Sequence, residues 1–193
     1  MKDMVNMNRI ILASKSPRRK QLLSLLNINF EAIPADIDEE INPNNDLVKE
    51  IEKLSYQKAN HIYLQNKDAL VIGSDTIVKI NGQVLGKPKT YEQAKQMLRL
   101  LSNNTHEVVT GVTIISNNKV ETFSSVALVT FYPLTEEEIE EYVKTNEPMD
   151  KAGAYAIQGI GSKYIKSING DFYTIMGLPI GELYHRLQKY KIF

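Results

Sequence analysis

One stretch limits the fold more than any other: ALVIGSDTIVKI, residues 69–80. Apolar residues fill most of it, and its β-branched Val, Ile and Thr side chains suit a pleated strand better than a helix. Such a run reads as a buried strand, not one with a wet face. It continues past a polar centre, Ser74-Asp75, and ends at Asn81-Gly82, a strong signal for a two-residue hairpin turn. A carboxylate inside a buried strand is expensive unless it is paired or bound to a metal. Asp75 is therefore either a structural carboxylate capping a bulge, or a general base or hard-cation ligand that uses the fixed geometry of a strand.

The rest of the chain mixes strands and helices. RIILAS (9–14) is a second apolar run of buried-strand type, and residues 17–27 read as a helix with Leu22, Leu23, Leu25 and Leu26 on its apolar face. NFEAIPADIDEEI is a short extended piece leading into an acidic loop through NPNN. Residues 46–66 and 90–102 have helical spacing, and two strands flank an NNK turn at 117–119. A helix begins at PLTEEEIEEYV; a glycine-rich stretch, 148–170, leads into a strand; and a last helix lies near 179–190. Hairpins together with crossovers predict an α/β or α+β fold with a mixed central sheet, as one domain over 1–193.

Composition excludes several functions. Lys+Arg and Asp+Glu are both 23, so no basic excess supports a generic nucleic-acid coat. With no cysteine, thiolate metal sites, disulfides and cysteine nucleophiles are ruled out. MKDMVNMNRI lacks an apolar core of signal-peptide length, and no stretch approaches the ~20 apolar residues of a membrane span. The expected location is the cytoplasm.

LASKSPRRKQLLSLL (12–26) poses a physical problem. Ser16 stands at the N-cap position and Pro17 at the first helical position. Arg18, Arg19 and Lys20 follow, where the helix dipole and the unpaired N–H groups favour acids. Elsewhere the chain starts a helix conventionally: Thr135 and Glu138 make a capping box with acid in the first turn. The cationic start is either a solvated surface turn or an anion site where donors, dipole and guanidinium groups converge on phosphate.

Other candidates are weaker alone. Lys58, in YQKAN, and Lys87, on the rigid turn LGKP, could each hold a point charge against phosphate or simply face solvent. Asp38, Glu39 and Glu40 form an acidic cluster of the kind a divalent ion beside phosphate needs, or a solvated loop. Gln158 in AIQGIGS can present an amide to a base edge, although the paired glycines do not complete a dinucleotide motif and no P-loop occurs. His61, His106 and His185 show no ligand spacing and are expected to be structural or surface residues.

LASKSPRR, GSDTIV, LGKP, THEVVTGV, DKAGAYAIQG and GLP stand in the order found in the Maf-type nucleoside triphosphate pyrophosphatases, which the chain resembles from about Ile10 to Leu187. The resemblance implies a fold like that of the inosine triphosphate pyrophosphatases, with two lobes around a cleft, a divalent cation (Mg²⁺ or Mn²⁺) and a homodimer; charge and hydropathy lead to the expectation of no nucleic-acid and no membrane partner. It implies hydrolysis of dTTP and UTP to monophosphate and pyrophosphate. Asp75 matches the catalytic proton acceptor; Ser14, Arg18, Arg19, Lys58 and Lys87 match substrate-binding positions; Asp75 and Glu39 match metal ligands. Arg18, Thr76 and Gln158 fall on the specificity positions of the pyrimidine branch, where the branch acting on 7-methyl-GTP carries Trp, Gln and Glu. Members have also been linked to arrest of septum formation, which implies an alternative role as a nucleotide sensor without turnover. The family usually has Gly where this chain has Asn103, and Asn tolerates the left-handed backbone.

Overall fold

The computed structural model describes residues 9–42 and 45–193. The first eight residues, which carry most of the N-terminal reading, and Pro43 and Asn44 of the NPNN loop lie outside the described residues. Among the described residues, seven strands form one sheet in the order β2-β1-β3-β5-β6-β7, with β4 also paired to β3. They are β1 (Ile10–Leu12), β2 (Glu31–Ala32), β3 (Leu70–Ile80), β4 (Gln83–Leu85), β5 (Thr105–Ser116), β6 (Lys119–Phe131) and β7 (Ile165–Asn169). The sheet is mixed: β1 runs parallel to β2 and β3, whereas β3–β4 and β6–β7 are antiparallel. The turn between β3 and β4 has Asn81 at φ 51° and Gly82 at φ 77°, the backbone that an Asn-Gly hairpin demands. Asn117 and Asn118 take the same left-handed conformation between β5 and β6.

The chain divides into two compact units, the first comprising Met1–Asp75, Gly111–Ser124 and Gly177–Phe193, the second Thr76–Thr110 and Ser125–Met176. In the first, α2 (Leu47–Tyr63) packs Ala59, Ile62 and Tyr63 on Ile11, Ala13, Val71 and Ile115. Leu12, Leu70 and Ile72 alternate to the other face and are equally buried, so the first half of β3 is covered on both sides, as its sequence requires. Side chains are absent where α2 comes closest. A Cβ on Gly73 would overlap the Ser55 carbonyl oxygen and lie 2.7 Å from the Ala59 nitrogen, and one on Gly111 would lie 2.7 Å from the Ile51 carbonyl oxygen. The same unit holds α1 (Pro17–Ser24) and α6 (Ile180–Leu187). The helix read over 17–27 stops at Ser24, which leaves Leu25 exposed and only Leu22 and Leu23 buried.

The second unit contains α3 (Tyr91–Leu101), α4 (Glu136–Lys144) and the short α5 (Phe172–Met176). The Arg99 guanidinium on α3 holds the Glu136 carboxylate at the start of α4, at 2.8–3.1 Å. His106 is buried with its ring edge-on to Phe131 and Tyr155, and burial pulls its pKa down to about 4. It is a neutral core histidine, as expected of a residue without ligand spacing. Asn103 sits at φ 55°, the left-handed geometry anticipated for it. Three short 3-10 turns between Glu147 and Tyr164 replace regular structure in the glycine-rich stretch.

Candidate active site

The close approach of α2 to β3 at Gly73 sets the site. Lys58, next to Ala59 on α2, reaches Asp75, two residues beyond Gly73 on β3: its Nζ lies 3.2 Å from Asp75 Oδ1 and 2.7 Å from Glu39 Oε1. From α1, Arg19 Nη2 comes within 3.5 Å of the same Asp75 oxygen. The side chains of Lys58, Arg19 and Asp75 are 7%, 11% and 12% exposed, whereas Glu39 is 47% exposed, so one end of the cluster is shielded from water and the other is open. Shielding strengthens each charge–charge interaction relative to its value in water.

Neutral groups fix the same constellation. Arg19 Nε donates to the Gly177 carbonyl at 2.9 Å, and Ser74 Oγ donates to that carbonyl at 2.9 Å. Ser16 Oγ accepts from Arg19 N, and Ser14 Oγ accepts from Ser16 N, so the turn before α1 is tied by two hydroxyls. The first turn of α1 contains no acid. For Arg19 the counter-charge is Asp75, which belongs to the protein itself. Burial lowers the Arg19 pKa from its ordinary value and Asp75 opposes that shift, yet a guanidinium remains charged throughout the working range. Arg18 is half-buried in the same turn.

The remaining candidates in the first unit separate clearly. Asp38 lines a shallow groove with Tyr56, Gln57, Asn60 and His61, and Glu40 is exposed, so of the acidic run Glu39 is the one paired with Lys58. Among the described residues no group of three or more His, Asp or Glu side chains is arranged to hold a metal ion. The acidic donors at this cluster are the carboxylates of Asp75 and Glu39, both facing the Lys58 ammonium.

Thr76, Lys87 and Gln158 belong to the second unit. Thr76 Oγ1 lies 2.8 Å from Thr110 Oγ1, and Thr110 Oγ1 lies 2.8 Å from the Thr174 carbonyl oxygen. A carbonyl only accepts and a hydroxyl has one hydrogen. The Thr110 hydrogen goes to Thr174, so Thr76 must be the donor to Thr110. Towards any further group, Thr76 Oγ1 then offers lone pairs alone. Lys87 is exposed on the turn after β4, which is pinned where Gly153 N donates to the Gly86 carbonyl at 3.1 Å. Gln158 is exposed beside the buried Ile157.

Residue pattern did not reveal Ser74, the Gly177 carbonyl, Thr110 or Thr174. The last three act through backbone oxygens or hydroxyls far away in the chain, and no spacing rule marks such partners. Ser74 alone had a signal, as the second polar residue of the polar centre in β3.

The family model for Maf-like protein matches residues 9–190. A dTTP/UTP pyrophosphatase of Bacillus velezensis is 47% identical over 184 residues, covering 95% of this chain and 97% of the relative. A protein of the same name from a strain of Bacillus cereus is 48% identical over 186 residues, covering 96% and 97%. Among solved structures, a nucleoside-triphosphatase / dITP/XTP pyrophosphatase from Mycobacterium abscessus overlaps with a TM-score of 0.46 at 10% identity, over 95% of this chain and 97% of that one, too loosely to carry an argument. No helix among the described residues is long and apolar enough to cross a membrane. With a model match over nearly its whole length and near-half identity to full-length relatives, the chain belongs to the Maf-like protein family.

Proposed function

We propose that this protein is a nucleoside triphosphate pyrophosphatase that hydrolyses dTTP, UTP and modified pyrimidine triphosphates to the monophosphate and pyrophosphate, in the cytoplasm. The observation that carries the proposal is the shielded Lys58–Asp75–Arg19 cluster, in a chain 47–48% identical to relatives named dTTP/UTP pyrophosphatase. A carboxylate fixed in place on a strand can take the proton of a water that attacks the α-phosphorus. Arg18, Arg19, Lys58 and Lys87 would neutralise charge that spreads onto the phosphate oxygens in the transition state. Ser14 and Ser16 hold the turn that aims the two arginines.

Asp75 and Glu39 would hold a divalent cation, Mg²⁺ or Mn²⁺. Two carboxylates fit such an ion, because Mg²⁺ at phosphate sites uses one or two carboxylates and takes its other oxygens from substrate and water. When bound, it would supply Lewis-acid polarisation of the phosphate oxygens.

Base choice would rest on Arg18, Thr76 and Gln158. A uracil or thymine edge carries an N3–H donor between carbonyl acceptors. The acceptor character forced on Thr76 by Thr110 matches an N–H, and a glutamine amide offers both donor and acceptor. The test is kcat/KM for dTTP, UTP, CTP, GTP and 7-methyl-GTP with Mg²⁺, with products resolved by chromatography. The expected result is a preference for dTTP and UTP with monophosphate and pyrophosphate as products. Nucleotide binding without turnover, release of orthophosphate, or no preference across the panel would overturn the proposal.

A further inference from the structure

The stretch 156–161 that carries Gln158 has little regular structure, yet it is held from beneath by one carboxylate. Glu147 Oε1 accepts from Ile160 N at 3.0 Å, and its Oε2 accepts from Gly161 N at 3.0 Å and from the Tyr142 hydroxyl at 2.7 Å. The Tyr142 oxygen in turn accepts from Ala156 N at 3.0 Å. Backbone donors on both sides of Gln158 thus end on one Tyr–Glu pair. Tyr142 is buried on the inner face of α4, so the pair is anchored to a helix.

The loop leaves no room for side chains at this contact. A Cβ on Gly159 would overlap the Glu147 carboxylate, and one on Gly161 would lie 2.8 Å from the Ala156 carbonyl oxygen. On its other side the loop is closed by Ser162, whose Oγ donates to the Gly159 carbonyl at 2.6 Å. Burial acts to raise the pKa of the Glu147 carboxyl, but the hydrogen bonds from Tyr142, Ile160 and Gly161 outweigh it and hold the group below the usual carboxylate value. The carboxylate form is the one this arrangement needs, because an ionised carboxylate accepts at both oxygens.

We propose that Glu147, braced by Tyr142, is a positioning residue for base selection: it fixes the backbone at 156–161 and with it the direction in which Gln158 presents its amide. The inference rests on the reading of Gln158 as a base-contacting residue. Nothing in it requires Glu147 to touch the nucleotide.

The experiment compares Glu147→Gln, Tyr142→Phe and Gln158→Ala with wild type, recording kcat and KM for dTTP and GTP together with melting curves. Glu147→Gln puts a donor where one backbone N–H must be accepted. It should raise KM for dTTP by about tenfold, the worth of one buried hydrogen bond, with a smaller fall in kcat. The dTTP:GTP ratio of kcat/KM should fall with it, to near the value of Gln158→Ala. Tyr142→Phe should move the same ratio in the same direction by less, and it keeps the inference testable if Glu147→Gln does not fold. A merely structural clamp would lower the melting temperature and leave the ratio unmoved; that result, beside a changed ratio in Gln158→Ala, overturns the inference alone. If Gln158→Ala itself leaves the ratio unmoved, the base-contact reading fails and this inference falls with it.

Discussion

Helices α1 and α4 begin alike and are stabilised differently. Each has a hydroxyl N-cap: Ser16 accepts from Arg19 N, and Thr135 accepts from Glu138 N. At α4 the cap closes within the helix's own first turn, although Glu136 is also held by Arg99 of α3. Glu138 Oε2 accepts from Thr135 N at 2.8 Å, and Glu136, Glu137 and Glu138 supply the negative charge the dipole favours. At α1 the first turn has no acid, and the charge facing Arg19 comes from Asp75 on β3. A helix start that carries its own counter-charge is a structural device. One that borrows its counter-charge from a shielded carboxylate leaves cations and carboxylate together, where the proposed substrate phosphate and divalent ion would exchange with them. Under the proposed function, the difference separates a start built for folding from a start built for chemistry.

Removing the borrowed charge should have the largest effect. Asp75→Asn keeps the shape of the side chain and loses its basicity, so kcat for dTTP should fall by about 10²–10⁴-fold; steady-state turnover within tenfold of wild type would remove Asp75 from the mechanism. Next comes Arg19→Ala. It removes the guanidinium from Asp75 and from the Gly177 carbonyl, so the free protein should lose about 1–3 kcal/mol in urea unfolding, and triphosphate should bind more weakly. This differs from what the dipole alone suggests, which is that a cation removed from a helix start stabilises the free protein. Thr135→Ala at the start of α4 should cost about 1 kcal/mol by the same measurement and leave KM for dTTP near wild type. The smallest pair is Glu137→Gln, expected to lose about 0.3–1 kcal/mol, and Lys20→Gln, expected to gain a few tenths of that order, both shrinking as salt is added. Equal signs for the two would show that the charge pattern of the first turns has no bearing on either helix.

Local chemistry made much of this legible in advance. Ser16-Pro17, Thr135 with Glu138, and the Asn-Gly turn each act within four residues, so their caps and turns could be read from the order of residues and are found as expected. Asp75 stood out because a carboxylate in an apolar strand demands a partner. Its partners could not be read so directly. Lys58 was one lysine among many until Gly73 brought the backbone of α2 onto β3, and the Gly177 carbonyl carries no signal in its side chain. Glu147 was missed for a related reason: its acceptors meet backbone donors at Ile160 and Gly161, and any sequence offers such donors everywhere. Helix ends were the other weak point. The helix read over 17–27 ends at Ser24, because Leu25, Leu26 and Asn27 close as tight turns on Leu22, Leu23 and Ser24, and Asn27 takes the left-handed backbone (φ 54°) that stops a helix.

The most direct test of the link between α1 and β3 is a double-mutant cycle between Arg19→Ala and Asp75→Asn, read as unfolding free energy of the nucleotide-free protein in urea. If Asp75 is the counter-charge of the α1 start, each single substitution already breaks the pair and the double loses less than the sum, with a coupling of about 0.5–3 kcal/mol. Effects that add to within about 0.3–0.5 kcal/mol would mean that Arg19 and Asp75 act independently, and would contradict the borrowed-charge origin of this helix start.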